Sequence, residues 1–225
     1  MIYAFVMDGE AAGRRPTWRR PVDRLTVGLP RGYRVAIDWL ITLVAALLVV
    51  LAVKQLVVNP YRIPSSSMEP TLHCARPALG CEASFSDRVL ACRLCYDFSS
   101  PKRGDIVVFT APPAAALACG DGGTYVKRLI GLPGDTVYED KRGFIWIDGK
   151  KLDEPYVQAD RREQDVQNNP EYLGKTWHVA RGQYFFMGDN RGESCDSRAW
   201  GTVPRSALIG KVVATYWPPT RISIR

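Results

Sequence analysis

One long unbroken apolar stretch is followed along this chain by many short ones. Between Val35 and Val58 the only charges are Asp38 and Lys54, and Trp39 to Val53 carries none. A bilayer core about 30 Å thick takes ~20 mostly apolar residues of helix. This run is apolar all round rather than striped, so it lacks the polar face of a helix lying on a soluble core. The pattern predicts a transmembrane anchor over residues 35–58. Lys54 would snorkel its ammonium to the headgroups while Leu56, Val57 and Val58 complete the span. No small-x-small site follows in Lys54 to Asn59, and the segment ahead is too long for a signal-peptide n-region. The anchor is therefore read as uncleaved.

After residue 59 the pattern becomes that of short strands. Asp105 to Phe109 is a compact apolar run, and Thr124 to Ile130 is another, closed by the turn Leu132-Pro133-Gly134-Asp135. Phe144 to Ile147, then Asp148-Gly149, then Lys150 to Leu152 carries the Asp-Gly hairpin signal. Gln183 to Met187 and Ile209 to Trp217 complete the set, with Thr176 to Ala180 also strand-like. No helical period of useful length follows the anchor. Residues 73–102 read as an irregular cysteine-rich insert, Pro112 to Gly123 as a loop, and the polar Glu154 to Lys175 stretch as a surface excursion.

Charge and cysteine usage orient this arrangement. The 225 residues carry a net charge of +7 and are 46% hydrophobic, enough for a sizeable core. Seven arginines between Met1 and Arg34 face only Asp8, Glu10 and Asp23. A basic arm can bind nucleic acid, but one that abuts an apolar span reads as a topology signal held in the cytoplasm. Interleaved aromatics and glycine-rich RNA motifs are missing from it, so no nucleic-acid partner is expected. Everything beyond about residue 59 then lies outside the cytoplasm, where disulfides persist. All six cysteines fall in that part. Cys74, Cys81, Cys92 and Cys95 suit either two disulfides or a Cys₄ zinc site.

The run Ile63-Pro64-Ser65-Ser66-Ser67-Met68-Glu69-Pro70-Thr71-Leu72 holds a candidate nucleophile directly after the span. A serine needs a base to remove its proton. His73 starts a loop beside Cys74 and His178 sits in a strand, so both read as surface or packing residues. A lysine is the remaining route, provided burial brings its pKa down from ~10.4. Lys127, flanked by Tyr125, Val126, Leu129 and Ile130, has the apolar setting for that, whereas Lys102, Lys150 and Lys151 lie in polar or turn contexts. Taken singly, Ser67 is a turn residue and Lys127 a strand lysine with a solvated head. The segment Gly188-Asp189-Asn190-Arg191-Gly192-Glu193-Ser194-Cys195-Asp196-Ser197-Arg198, small and polar between two β runs, raises both.

Together these segments resemble bacterial type I signal peptidase. Pro64 to Leu72 matches its serine box and Arg103 to Phe109 the β box after it. Lys127 to Asp135 matches its lysine box, and Gly188 to Arg198 with Trp200 to Pro204 the last box, all in order. The resemblance implies Ser67 as nucleophile and Lys127 as general base, with Ser65 joining the Ser67 backbone N–H in an oxyanion hole. It implies that Ser194 orients the lysine amine and that Asp196 and Arg198 form a supporting ion pair. Ile63, Pro64, Met68, Leu72, Tyr125 and Val126 would line shallow pockets for small side chains. Glu69 stands at a position that varies in the family. If Lys127 and Ser194 are neighbours, a Cys119–Cys195 bridge would staple their segments.

The fold class expected is mostly β: a single N-terminal transmembrane helix plus an extracytoplasmic antiparallel β-sheet catalytic domain. Its divisions are a cytoplasmic basic arm (1–34), the anchor (35–58) and a peptidase domain (59–225) with the insert at 73–102. The implied activity is cleavage of secreted preproteins after a small-x-small motif, commonly Ala-x-Ala, at the plasma membrane. No metal or organic cofactor is expected. The partners are the preproteins, the lipid bilayer and, as a candidate, the secretion translocon.

Overall fold

The computed structural model describes residues 30–120 and 122–225, so most of the basic arm lies outside the described residues. The chain divides into two compact units at Leu51/Ala52. Helix α1 (Arg31–Leu56) makes up the described part of the first unit beyond Pro30 and runs five residues past that unit's end; it begins four residues ahead of the apolar boundary. The Pro30 carbonyl accepts from Tyr33 and Arg34 N–H at this end, and arginine is a good helix former. Within its 22-residue span Arg31–Ala52, an 18-residue window reaches a mean hydropathy of 2.6, so the helix is long and apolar enough to cross a membrane. Trp39, Leu43, Leu47 and Val50 are all exposed on it.

The second unit contains, in order, β1 (Val58–Arg62), β2 (Arg88–Cys92), α2 (Cys95–Phe98), β3 (Ile106–Thr110) and α3 (Pro113–Cys119). Then come β4 (Thr124–Gly131), β5 (Thr136–Glu139), β6 (Ile145–Ile147), β7 (Lys150–Lys151), α4 (Ala159–Asn168) and β8 (Thr176–His178). The chain ends with β9 (Gln183–Met187), α5 (Ser197–Trp200), β10 (Val203–Pro204), β11 (Leu208–Trp217) and β12 (Ser223–Ile224). The larger sheet has the order β1-β2-β11-β3-β4-β9-β10, with β12 against β11, and a smaller one has the order β7-β6-β5-β8. All pairings between these strands are antiparallel.

A short continuous apolar run suits a strand buried on both faces, and β3 is one. Ile106 and Val108 join a core with Ile63, Met68, Leu72 and Val89, while Val107 and Phe109 turn to a second with Leu129, Phe186 and Trp200. The Phe109 and Phe186 rings stack with centroids 4.4 Å apart. The other face of β9 sends Phe185 and Met187 into a third core, shared with Ile130, Val137 and Ile145.

Three stretches differ from the sequence expectation. The insert at 73–102 contains β2, an interior strand whose Val89 and Ala91 are fully buried. Its pattern is too short to stand out among the surrounding cysteines and polar residues. The loop at 112–123 contains α3, which starts on Pro113 and stops at Gly120 with φ +70°, the proline-first, glycine-last asymmetry of helices. The polar 154–175 stretch lies largely at the surface, as expected, but it contains the helix α4. Its buried face is ionic rather than apolar, so hydrophobic periodicity could not reveal it.

That ionic face centres on Arg198, whose guanidinium is fully buried. It donates from Nε to Asp196 Oδ1 at 2.9 Å and from Nη2 to Asp196 Oδ2 at 3.1 Å. Nη1 reaches Asp165 of α4 at 2.8 Å and Glu139 of β5 at 3.3 Å, and Nη2 also reaches the Arg191 carbonyl at 2.9 Å. The expected Asp196–Arg198 pair is therefore the middle of a larger cluster. Beside it, the buried Arg191 pairs with Glu154. Burial pushes the Glu139 carboxyl up to about 8, with Asp165 adding to the rise and Arg198 opposing it.

The folded chain thus holds the Glu139 proton more tightly than the unfolded chain does. That contribution is complete below its ordinary 4.5 and is lost as pH rises through about 8. The unfolding midpoint should fall between roughly pH 5 and pH 8 and flatten in Glu139→Gln; an unchanged slope in the variant would place the proton elsewhere. Arg198→Ala should destabilise by roughly 3–5 kcal/mol in denaturant titration, because it strands buried carboxylates.

Candidate active site

Ser67 occupies a 3-10 turn, Ser66–Met68, that leaves the end of β1. Met68 is buried and anchors the turn in the first core, leaving Ser67 half-buried at the surface of a groove. Across that groove, β4 carries Lys127, paired in register with Val107 of β3. The groove has a volume of about 590 Å³, and both Ser67 and Lys127 line it.

Lys127 is only 4% exposed. Burial lowers its pKa from 10.5 to about 8, against the upward pull of Asp196 and Asp189 and with help from Arg198. Its amine lies 5.9 Å from the centre of the Tyr125 ring, and no hydrogen bond or ion pair holds it among the described residues. Burial alone would raise Asp196, but the charge and hydrogen bonds of Arg198 outweigh this and hold that carboxyl below its ordinary value.

The segment from Gly188 to Arg198 backs the nucleophile. The Asn190 N–H donates to the Ser67 carbonyl at 3.2 Å, and Asn190 Nδ2 donates to the Ser66 carbonyl at 3.1 Å. At Gly188 a Cβ would fall 2.4 Å from the Ser67 carbonyl oxygen and 2.3 Å from Ser194 Oγ. Only glycine allows so close an approach of the two segments. Asp196 receives the Gly188 N–H at 3.1 Å. Arg128, next to the lysine, forks onto the buried Asp189 at 2.8 and 2.6 Å, a bidentate geometry that fixes register as well as charge.

Ser65 Oγ lies 3.3 Å from Ser67 Oγ. Ile63, Pro64, Met68, Tyr125 and Val126 line the groove. Leu72 does not: it is fully buried in the first core behind the serine turn. Ser194 is buried behind the groove, and its Oγ has no hydrogen-bond partner among the described residues. Cys119 and Cys195 are joined and form part of the groove wall. The remaining cysteines pair as Cys74–Cys81 and Cys92–Cys95 rather than converging on one zinc site.

Neither histidine lines the groove. His178 Nδ1 meets Thr136 Oγ1 at 3.2 Å on the smaller sheet. His73 Nδ1 lies 2.5 Å from the fully buried Glu69 Oε2. That contact gives Glu69 a partner that sequence reading did not supply. Glu193, which also lines the groove, was missed because a lone acidic residue in a polar loop carries no pattern.

Residues 36–217 match the profile of signal peptidase, peptidase S26. A probable signal peptidase I-2 from Synechocystis sp. is 36% identical over 183 residues, covering 81% of this chain and 74% of that protein. Signal peptidase I from Leptolyngbya laminosa is 32% identical, covering 92% of each. Signal peptidase IB from Staphylococcus aureus is 31% identical, covering 81% of this chain and 90% of that one. A solved signal peptidase I from Enterococcus faecalis V583 is 34% identical over 51% of this chain and 97% of that chain, with a TM-score of 0.40. By family match and by identity over most of its length, this chain belongs to the signal peptidases, peptidase S26, and is an enzyme of that family.

Proposed function

We propose that the chain is a membrane-anchored serine endopeptidase that removes signal peptides from secreted preproteins, using Ser67 as nucleophile and Lys127 as general base. The observation that carries this reading is the burial of Lys127, which brings its pKa to about 8 in the groove that Ser67 lines. A neutral amine takes the Ser67 Oγ proton as the oxygen attacks the scissile carbonyl. The resulting oxyanion is met by Ser65 Oγ and the Ser67 N–H. The ammonium then protonates the departing amine, leaving an acyl group on Ser67. Lys127, neutral again, activates a water that releases the acyl group. The unpartnered Ser194 Oγ is the hydroxyl available to orient the amine when it is charged.

Substrate would bind as an added strand. β1 is an edge strand, and β9 pairs with β4 only from Arg128 onward, so residues 124–127 have an open edge on that side. Ile63, Pro64, Met68, Tyr125 and Val126 provide apolar walls that favour small side chains by excluding larger ones. Helix α1 acts as the anchor, with its basic N-terminal flank in the cytoplasm and the catalytic unit outside.

Ser67→Ala and Lys127→Ala should each abolish cleavage of an Ala-x-Ala preprotein while retaining the wild-type circular dichroism spectrum. Ser65→Ala should lower kcat by about 10²–10³, the loss of one oxyanion donor. A folded Lys127→Ala enzyme with wild-type turnover would sink the dyad.

The pH profile tests the base itself. Below about 8 the ammonium predominates and cannot accept the serine proton, so kcat/KM should rise with pH through that value and then level. Lys127→Arg, permanently charged, should be inactive throughout. A bell centred near pH ~6 would point to a histidine instead.

A further inference from the structure

One anionic side chain in the groove has no part in the proposed chemistry. Glu193 Oε2 accepts from Ser66 Oγ at 2.8 Å and from Asn190 Nδ2 at 3.4 Å. Gly80 closes over the same oxygen: with φ +73°, a Cβ there would fall 2.0 Å from it and 2.7 Å from Ser66 Oγ. Gly80 belongs to the loop closed by Cys74–Cys81. The carboxylate is thus held in place, unlike an ordinary surface glutamate, although the residue is exposed. No lysine or arginine forms an ion pair with it among the described residues. The other charged side chains on the groove wall are Lys127, which acts when neutral, and Arg62, at the end of β1 just ahead of Ile63.

Sidedness follows from what already occupies the rest of the groove. Ile63, Pro64, Tyr125 and Val126 are assigned to the small residues on the acyl side of the scissile bond. The loop holding Glu193 approaches Ser67 from its carbonyl side, through Gly188 and Asn190. A fixed, unpaired carboxylate there attracts a cation and repels an anion. We propose that Glu193 is a specificity-determining residue that selects lysine or arginine among the first three residues after the cleavage site. This rests on the serine–lysine peptidase reading above.

The test uses three preproteins with one Ala-x-Ala signal, carrying Lys, Ala or Glu at the three positions after the cut. Wild-type kcat/KM should favour the Lys substrate over the Glu substrate by about tenfold, the order expected for reversing a charge in partly solvated surroundings. The preference should shrink as salt is raised. In Glu193→Gln the ratio should fall below about twofold, and in Glu193→Lys it should invert. A wild-type ratio near one would overturn the proposal. So would a Glu193→Gln variant that slows all three substrates equally, because Glu193 would then be only a brace for Ser66. If the wild type cuts none of the three, the peptidase reading itself fails. The wild-type ratio and its salt dependence remain decisive even if the variants do not fold.

Discussion

A lysine amine buried among carboxylates can lose its charge only if something else absorbs the carboxylates' field. Lys127 loses nearly all its water, which favours the neutral form, yet Asp196 and Asp189 both pull its pKa upward. Arg198 opposes that pull, and both carboxylates are held by arginines. Arg198 grips Asp196 with two hydrogen bonds, and Arg128 grips Asp189 with two more. Each carboxylate is thereby committed to a guanidinium in the same dry region, where charge interactions are strongest. On the proposed mechanism, these pairs set the basicity of the amine as well as the shape of its pocket. The constraint reaches far into the fold: Arg198 also binds β5 through Glu139 and α4 through Asp165. Elements that supply no residue to the groove wall thus bear on the basicity of its lysine.

The strands and the groove's chemistry were legible from the sequence to different depths. β3, β4, β9 and β11 announced themselves as apolar runs because both faces of the larger sheet are covered. The Asp148-Gly149 turn marked the β6–β7 hairpin through local backbone preference alone. α4 stayed hidden because its inward residue is Asp165, matched by a cation thirty-three positions away, and charge complementarity across such a distance has no local signature. The same blindness applied to Glu154, whose partner Arg191 is thirty-seven positions away. Leu72 illustrates the opposite error. Position in the serine box suggested a pocket wall, whereas Leu72 is fully buried in the first core together with Met68 and does not line the groove. Motif spacing locates a segment but does not say which side of it faces the solvent.

The disulfides divide their work by loop length. Cys119–Cys195 spans 76 residues, a closure that in the chain-entropy picture restricts the unfolded state by about 4.5 kcal/mol. It joins the end of α3, beside β4, to the loop that backs Ser67. Cys74–Cys81 and Cys92–Cys95 close loops of 7 and 3 residues and restrict the unfolded chain much less. Their effect is local. The first holds Gly80 against Ser66 and Glu193. The second ends β2 at the point where Gly210 of β11 must approach the Cys92 carbonyl, a Cβ there falling 2.5 Å from that oxygen.

An unpaired strand edge is ordinarily a liability, because it invites pairing with any extended chain. This fold leaves two such edges facing one groove, along β1 and along the first half of β4. α3 and α5 pack nearby against the second core. The openness of these edges is what an enzyme acting on extended chains requires, since backbone pairing grips a substrate without reading its side chains. Selectivity must then come from the few side chains that line the gap. On the proposed reading, apolar walls at Ile63, Pro64, Met68, Tyr125 and Val126 would limit size, and Glu193 would add charge. A peptidase that processes many different preproteins would need that division: affinity from the backbone, with discrimination confined to the residues that flank the bond.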